Sequence, residues 1–143
     1  MKKVHTIMIV DDDPDDIIIF KEAIREIDPT LESIQAIDGE KAILYLNKTD
    51  ALPDIIFLDL NMPRIQGMQC LAEIKHSLKL RKIPVVIYST TRNPETEKEA
   101  RNQGAEYYIT KPVFFKDICN AIITVIDDIN YQQIKLMTER ITS

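Results

Sequence analysis

Ile55-Ile56-Phe57-Leu58-Asp59-Leu60-Asn61-Met62-Pro63 is the stretch that decides the fold. Four large, partly β-branched apolar residues between Pro53 and Pro63 suit a short strand covered on both faces, as in a parallel sheet packed between helix layers. The run ends in a carboxylate, Asp59. Residues just past the carboxyl ends of such strands line the ligand crevice of an open α/β sheet, so an acid at this place asks for a chemical reason.

Two further segments share the shape. Ile7-Met8-Ile9-Val10 runs into Asp11-Asp12-Asp13, and Tyr107-Tyr108-Ile109-Thr110 runs into Lys111-Pro112. If the strands are parallel, several carboxylates and one ammonium group meet at one edge of the sheet. They meet beside Ser89-Thr90-Thr91, which follows the strand Val85-Val86-Ile87-Tyr88. That combination suits a divalent cation and a phosphoryl group.

Outward from these segments, strand patterns lie near Val4–Val10, Leu31–Ile37, Ile55–Leu58, Pro84–Ser89 and Glu106–Thr110, each followed by a helix-length stretch. Pro14 favours the first turn of a helix that Asp28-Pro29 ends at about Ile27. Asp38 can cap the second helix, with Ala42, Ile43 and Leu46 on its apolar face. The third follows Gly67, and a polar connection from His76 to Lys82 leads to strand four. Asn93-Pro94-Glu95 starts the fourth, and Gly104 reads as its C-terminal cap. The fifth runs from about Phe115 to Ile129, burying Ile118, Ile122, Val125 and Ile126. In the tail after Asn130, Ile134, Met137 and Ile141 recur at helical spacing, which extends or follows that helix. Right-handed crossovers between parallel strands make a doubly wound α/β sheet, order 2-1-3-4-5, with five flanking helices.

The 143 residues, 45% apolar, suffice for one domain with a real core. A net charge of −5 argues against nucleic acid or an anionic membrane as the main partner. Lys2-Lys3 and Lys79-Leu80-Arg81-Lys82 are short surface clusters. The start of the chain lacks a signal-peptide core, and no apolar stretch approaches the length of a bilayer span. Cys70 and Cys119 fall in helical patterns without zinc or redox spacing, as expected in a reducing cytoplasm.

Adjacent carboxylates such as Asp11 and Asp12 repel when both are ionised, and a hard divalent cation neutralises them. Magnesium, or manganese in its place, takes oxygen ligands: Asp11, Asp12, Asp59 and the backbone carbonyl of Asn61 would supply the protein share. Asp59 can then attack phosphorus and form an aspartyl phosphate. Lys111 can bridge to the carboxylate and then to a phosphoryl oxygen, while the Ser89 hydroxyl donates to the new phosphate. Asp11, Asp13, Asp15 and Glu22 also match four places of an EF-hand calcium loop. Pro14 and Asp16 stand where that loop needs other residues, glycine above all, so the match is rejected.

Together these motifs, with Gly67, Pro84 to Thr90 and Gly104 to Pro112, resemble the receiver domain of bacterial two-component response regulators over about Val4 to Ile126. The resemblance implies a flavodoxin-like receiver domain over 1–126, with 127–143 as a C-terminal helical extension and no separate output domain. It implies that Asp59 is the phosphoacceptor, that Asp11 and Asp12 organise magnesium, and that Ser89, with Thr90 beside it, is the switch hydroxyl. It further implies that Lys111 contacts the phosphate, that Lys111-Pro112 is a cis peptide, and that Tyr108 is an aromatic switch packing inward when Ser89 moves. The donor would be a sensor histidine kinase or a histidine phosphotransfer protein in the cytoplasm, and the output a downstream protein contact. The polar connection after helix three and Asp59-Leu60-Asn61 look most like the stand-alone regulators paired with phytochrome-type kinases. Such regulators form homodimers through the face of helix four, strand five and helix five, where Phe114, Phe115 and Ile134 would contribute. The competing class is a magnesium-dependent phosphohydrolase of the haloacid dehalogenase kind. Its Asp-x-Asp nucleophile motif would need an acid at Asn61, so a signalling protein is the reading adopted.

Overall fold

The computed structural model describes residues 3–62 and 66–142; Lys2, Pro63 and the side chain of Ile141 lie outside that description. Five strands form one sheet in the order β2-β1-β3-β4-β5: β1 Thr6–Val10, β2 Glu32–Ala36, β3 Ile55–Leu58, β4 Val85–Ser89 and β5 Tyr107–Thr110. All pairs are parallel, with Val10 opposite Leu58, Leu58 opposite Ile87 and Ser89 opposite Thr110. This register brings the carboxyl ends of β1, β3, β4 and β5 level, which is what assembles a site.

The alternation of side chains along each strand divides the core in two. Met8, Val10, Ile56, Leu58, Val85 and Ile87 face the helices α2 (Gly39–Lys48), α3 (Gly67–His76) and α4 (Pro94–Asn102). Ile7, Ile9, Ile55, Phe57, Val86 and Tyr88 face α1 (Pro14–Ile27) and α5 (Phe115–Thr142). Every residue of β3 and β4 is buried, which explains why those strands read as unbroken apolar runs rather than alternating ones. On the α1 side, Phe20, Phe57 and Tyr88 meet edge to face, with centroids 4.9 to 6.0 Å apart.

Helix starts follow the sequence closely. Asp13, Asp38 and Asn93 each accept an N–H of the first turn, and Pro14 and Pro94 open their helices. Asp13 therefore serves as a cap, in agreement with rejecting the calcium loop. Lys79 donates to the carbonyls of Asn47 and Thr49 at the end of α2, so this member of the basic cluster secures a helix terminus.

The sequence left open whether the tail extends α5 or follows it, and the helix continues without a break through Thr142, 28 residues or about 42 Å. One face of its first half, Ile118, Ile122, Val125, Ile126 and Ile129, is buried, and Asn130 Oδ1 accepts the Val4 N–H at 2.9 Å. Beyond that point Tyr131, Ile134, Leu136 and Met137 are exposed. The expected cis peptide is corrected: no cis bond occurs among the described residues, so Lys111–Pro112 is trans. The trans isomer is the intrinsically favoured one even before proline, and it is compatible with the Lys111 N–H donating to Ser89 O at 2.8 Å.

Candidate functional site

The end of β1 places Asp11 inside the crevice, fully buried, with its Oδ1 accepting the Asp13 N–H at 2.9 Å. Asp12, the next residue, is exposed at the rim. Asp59 leaves β3 buried, and its Oδ1 accepts the Asn61 N–H at 3.2 Å. One carboxylate oxygen from each of Asp11, Asp12 and Asp59 lies within 4.8 Å of the others. An all-oxygen set with one exposed member fits a hard divalent cation that keeps some of its waters.

Gly67 makes this geometry attainable. A Cβ at Gly67 would stand 2.2 Å from the Asp59 carbonyl oxygen and 2.4 Å from the Leu60 Cα, so α3 can begin against the Asp59 loop only with glycine there.

Lys111 enters from the end of β5, with its side chain mostly buried. Its Nζ donates to Asp11 Oδ2 at 2.7 Å and Asp16 Oδ2 at 2.8 Å, and approaches Asp59 Oδ2 at 3.4 Å. The ammonium also lies 5.6 Å from the centre of the Tyr88 ring. Burial alone would lower the Lys111 pKa, but the hydrogen bonds and charges of Asp11, Asp16 and Asp59 outweigh it and raise the value. Asp11 is pushed up by burial, only partly offset by Lys111 and the Asp13 N–H. A buried carboxyl that holds its charge reluctantly is one a cation would stabilise. Burial likewise pushes the Tyr88 phenol up to about 12.

On the β4 side, the Asn61 side-chain amide donates to Thr91 Oγ1 at 3.0 Å and reaches Ser89 Oγ at 3.5 Å, the limit of a hydrogen bond. Ser89 is fully buried, whereas Thr90 is exposed and Thr91 is the threonine that joins the network. Tyr108 is half-buried against the α2–α3–α4 core, and its hydroxyl donates to the Thr91 carbonyl at 2.9 Å. The structure thus brings together Asp11, Asp12, Asp59, Asn61, Ser89 and Lys111, with Tyr108 at the margin. Sequence reasoning missed Asp16. Its one local signal was its place in the first turn of α1, just after the acidic end of β1.

A family model described as the response regulator receiver domain matches residues 7–123. The chain belongs to that family. Among relatives of this receiver domain, the response regulator Rcp1 of Synechocystis sp. is 31% identical over 78% of this chain and 80% of its own. The probable methanogenesis regulatory protein FilR2 of Methanothrix harundinacea is 34% identical over 57% of this chain, which spans just over half of FilR2's length, 55%. Among solved structures, the phosphorylated cyanobacterial phytochrome response regulator RcpA superposes with a TM-score of 0.79 at 31% identity, over 85% of this chain and 91% of that one. A manganese-bound form of Rcp1 gives 0.74 at 29%, over 82% and 88%. The receiver fold and its order of strands are therefore those of a two-component response regulator. No helix among the described residues is long and apolar enough to cross a membrane.

Proposed function

We propose that this receiver domain accepts a phosphoryl group on Asp59 from a phosphohistidine of a sensor histidine kinase or a histidine phosphotransfer protein. The observation that carries the reading is the position of Asp59: its carboxylate shares a cation-sized cluster with Asp11 and Asp12 and faces the Lys111 ammonium at 3.4 Å. In the transfer, an Asp59 carboxylate oxygen bonds to phosphorus as the phosphorus–nitrogen bond breaks and its electron pair returns to the donor imidazole. Asp11, Asp12, Asp59 and the Asn61 carbonyl would hold magnesium, or manganese as in the Rcp1 structure. When bound, the cation would neutralise the carboxylates and the charge on the phosphoryl oxygens.

Lys111 pairs with a phosphoryl oxygen once Asp59 is modified. Ser89 donates its hydroxyl to another oxygen, drawing the Thr90-Thr91 segment inward. Because the Thr91 carbonyl accepts the Tyr108 hydroxyl, that movement is felt by Tyr108 and by the face of α4, β5 and α5. Output through that face, by contact with a downstream protein or a second copy of the chain, follows as a population shift. That RcpA, of the same fold, is a phosphorylated response regulator supports the phosphoacceptor part of this reading. The chain acts on this reading as a signalling protein of the cytoplasm, its chemistry limited to its own phosphorylation and dephosphorylation. The receiver occupies residues 1–126, with 127–143 an extension of its last helix.

The test is intact mass after incubation with magnesium and acetyl phosphate. One added phosphoryl group on the native chain and none on Asp59→Asn is the expected result. An adduct that persists on Asp59→Asn would place the acceptor elsewhere.

A further inference from the structure

Lys111 has three carboxylate partners, and one of them stands outside the acidic cluster. Asp11 and Asp59 belong to the group that can hold a cation, whereas Asp16 does not. Yet Asp16 Oδ2 lies 2.8 Å from Lys111 Nζ, as close as Asp11 at 2.7 Å and closer than Asp59 at 3.4 Å. Asp16 sits in the first turn of α1, half-exposed, whereas Ser89 and Thr91 come from β4 and the loop after it. The Tyr88 ring, wedged against Phe20 and Phe57, lies beside the ammonium and is part of the same α1-side packing.

We infer that Asp16 is a positioning residue that restrains Lys111 toward α1, so that the ammonium must give up this partner to serve the phosphoryl group on Asp59. The inference rests on the phosphoacceptor reading above and deepens it. Asp59 is the longest of the three contacts, and a phosphoryl group added there draws Lys111 away from Asp16. The Asp16 charge opposes that displacement, and it does so through Lys111 rather than by touching the transferred group. Removing the charge frees the ammonium earlier and speeds phosphorylation.

The experiment measures the initial rate of acetyl phosphate labelling with magnesium for the native chain, Asp16→Asn, Asp16→Glu and Asp15→Asn. Asp15→Asn removes the same charge one residue away, at an exposed position whose side chain is not among the Lys111 partners. Asp16→Asn should label about fivefold faster, the scale of one partly exposed charge pair, with Asp15→Asn within about twofold and Asp16→Glu close to native. The gain should vanish when Asp16→Asn is combined with Lys111→Ala, since a route through Lys111 is coupled to it. An equal gain in Asp15→Asn, a gain that survives Lys111→Ala, or a slower Asp16→Asn would each overturn the inference. A second readout needs no phosphorylation: the nitrogen-15 resonance of the Lys111 ammonium should shift and exchange its protons faster in Asp16→Asn but not in Asp15→Asn. Should the native chain take no phosphoryl group, the phosphoacceptor reading falls on its own. The ammonium spectrum then decides about Asp16, and an unchanged resonance would overturn its role.

Discussion

Two lysines, nearly equal in burial, mark opposite edges of the sheet. Lys75 and Lys111 leave 11% and 10% of their side chains exposed. At the amino edge, Lys75 donates to the carbonyls of Arg81 and Ile83 and to Glu106 Oε2 at 2.9 Å, while Glu106 Oε1 accepts the Val85 N–H. At the carboxyl edge, Lys111 contacts three carboxylates, two of them buried. The first ammonium is satisfied mainly by fixed backbone, the second by charges that can be redistributed. A buried cation held by carbonyls closes a turn; one held by surplus carboxylates is poised to exchange partners when charge arrives. Each edge also has its glycine. Gly67 abuts backbone at the Asp59 loop, whereas Gly104, with φ of 107°, abuts side-chain atoms of Lys75.

The glycines offer the largest test of this contrast. Gly67→Ala should cost about 3 kcal/mol or more, because a backbone clash must shift either α3 or the Asp59 loop. Gly104→Ala should cost less, about 1–2 kcal/mol, from its positive φ and from the shift of a side chain rather than of backbone. Urea unfolding of both variants measures the difference, and equal costs would break the contrast.

The lysines themselves come next. Lys75→Met should cost about 1–2 kcal/mol of stability, discounted because Glu106 is 42% exposed. Its labelling by acetyl phosphate should stay near native. Lys111→Met should lower the labelling rate by about tenfold or more. A Lys75 variant that labels poorly would show that the amino edge reaches the site.

The smallest effect is in the acid range and sharpens the account of Asp11. Its folded pKa is raised above 3.8, so the folded state binds that proton more tightly than the unfolded chain does. Stability from this group is therefore fully present below pH 3.8 and is lost as pH rises through the raised folded value. In magnesium-free buffer, urea midpoints should show the native chain losing stability relative to Asp11→Asn over that window. Parallel curves would mean that Lys111 fully compensates the burial.

The charged ends of β1, β3 and β5 were legible because an apolar strand running into Asp11, Asp59 or Lys111 is a local pattern, and parallel connectivity then brings the ends together. The caps Asp13, Asp38 and Asn93 were legible for the same reason, since a cap acts within three residues of itself. Asp16 was not, although it stands in the first turn of α1, because its partner is Lys111, 95 positions away. The unbroken α5 was only half legible: the spacing of Ile134 and Met137 suits a helix, but periodicity does not say whether one helix continues or a second begins.

By itself, then, the sequence determined the strands, the helix starts, the strand order and the residues that carry charge into the crevice, all of which follow from short-range patterning and the handedness of crossovers. Tertiary structure alone decided which carboxylates share Lys111, how closely Gly67 lets α3 approach Asp59, that Thr91 rather than Thr90 joins Asn61 to Tyr108, and that Lys111–Pro112 is trans. Those outcomes depend on distances of a few ångströms between residues far apart in the chain, and such distances are fixed by how the two helix layers pack on the sheet.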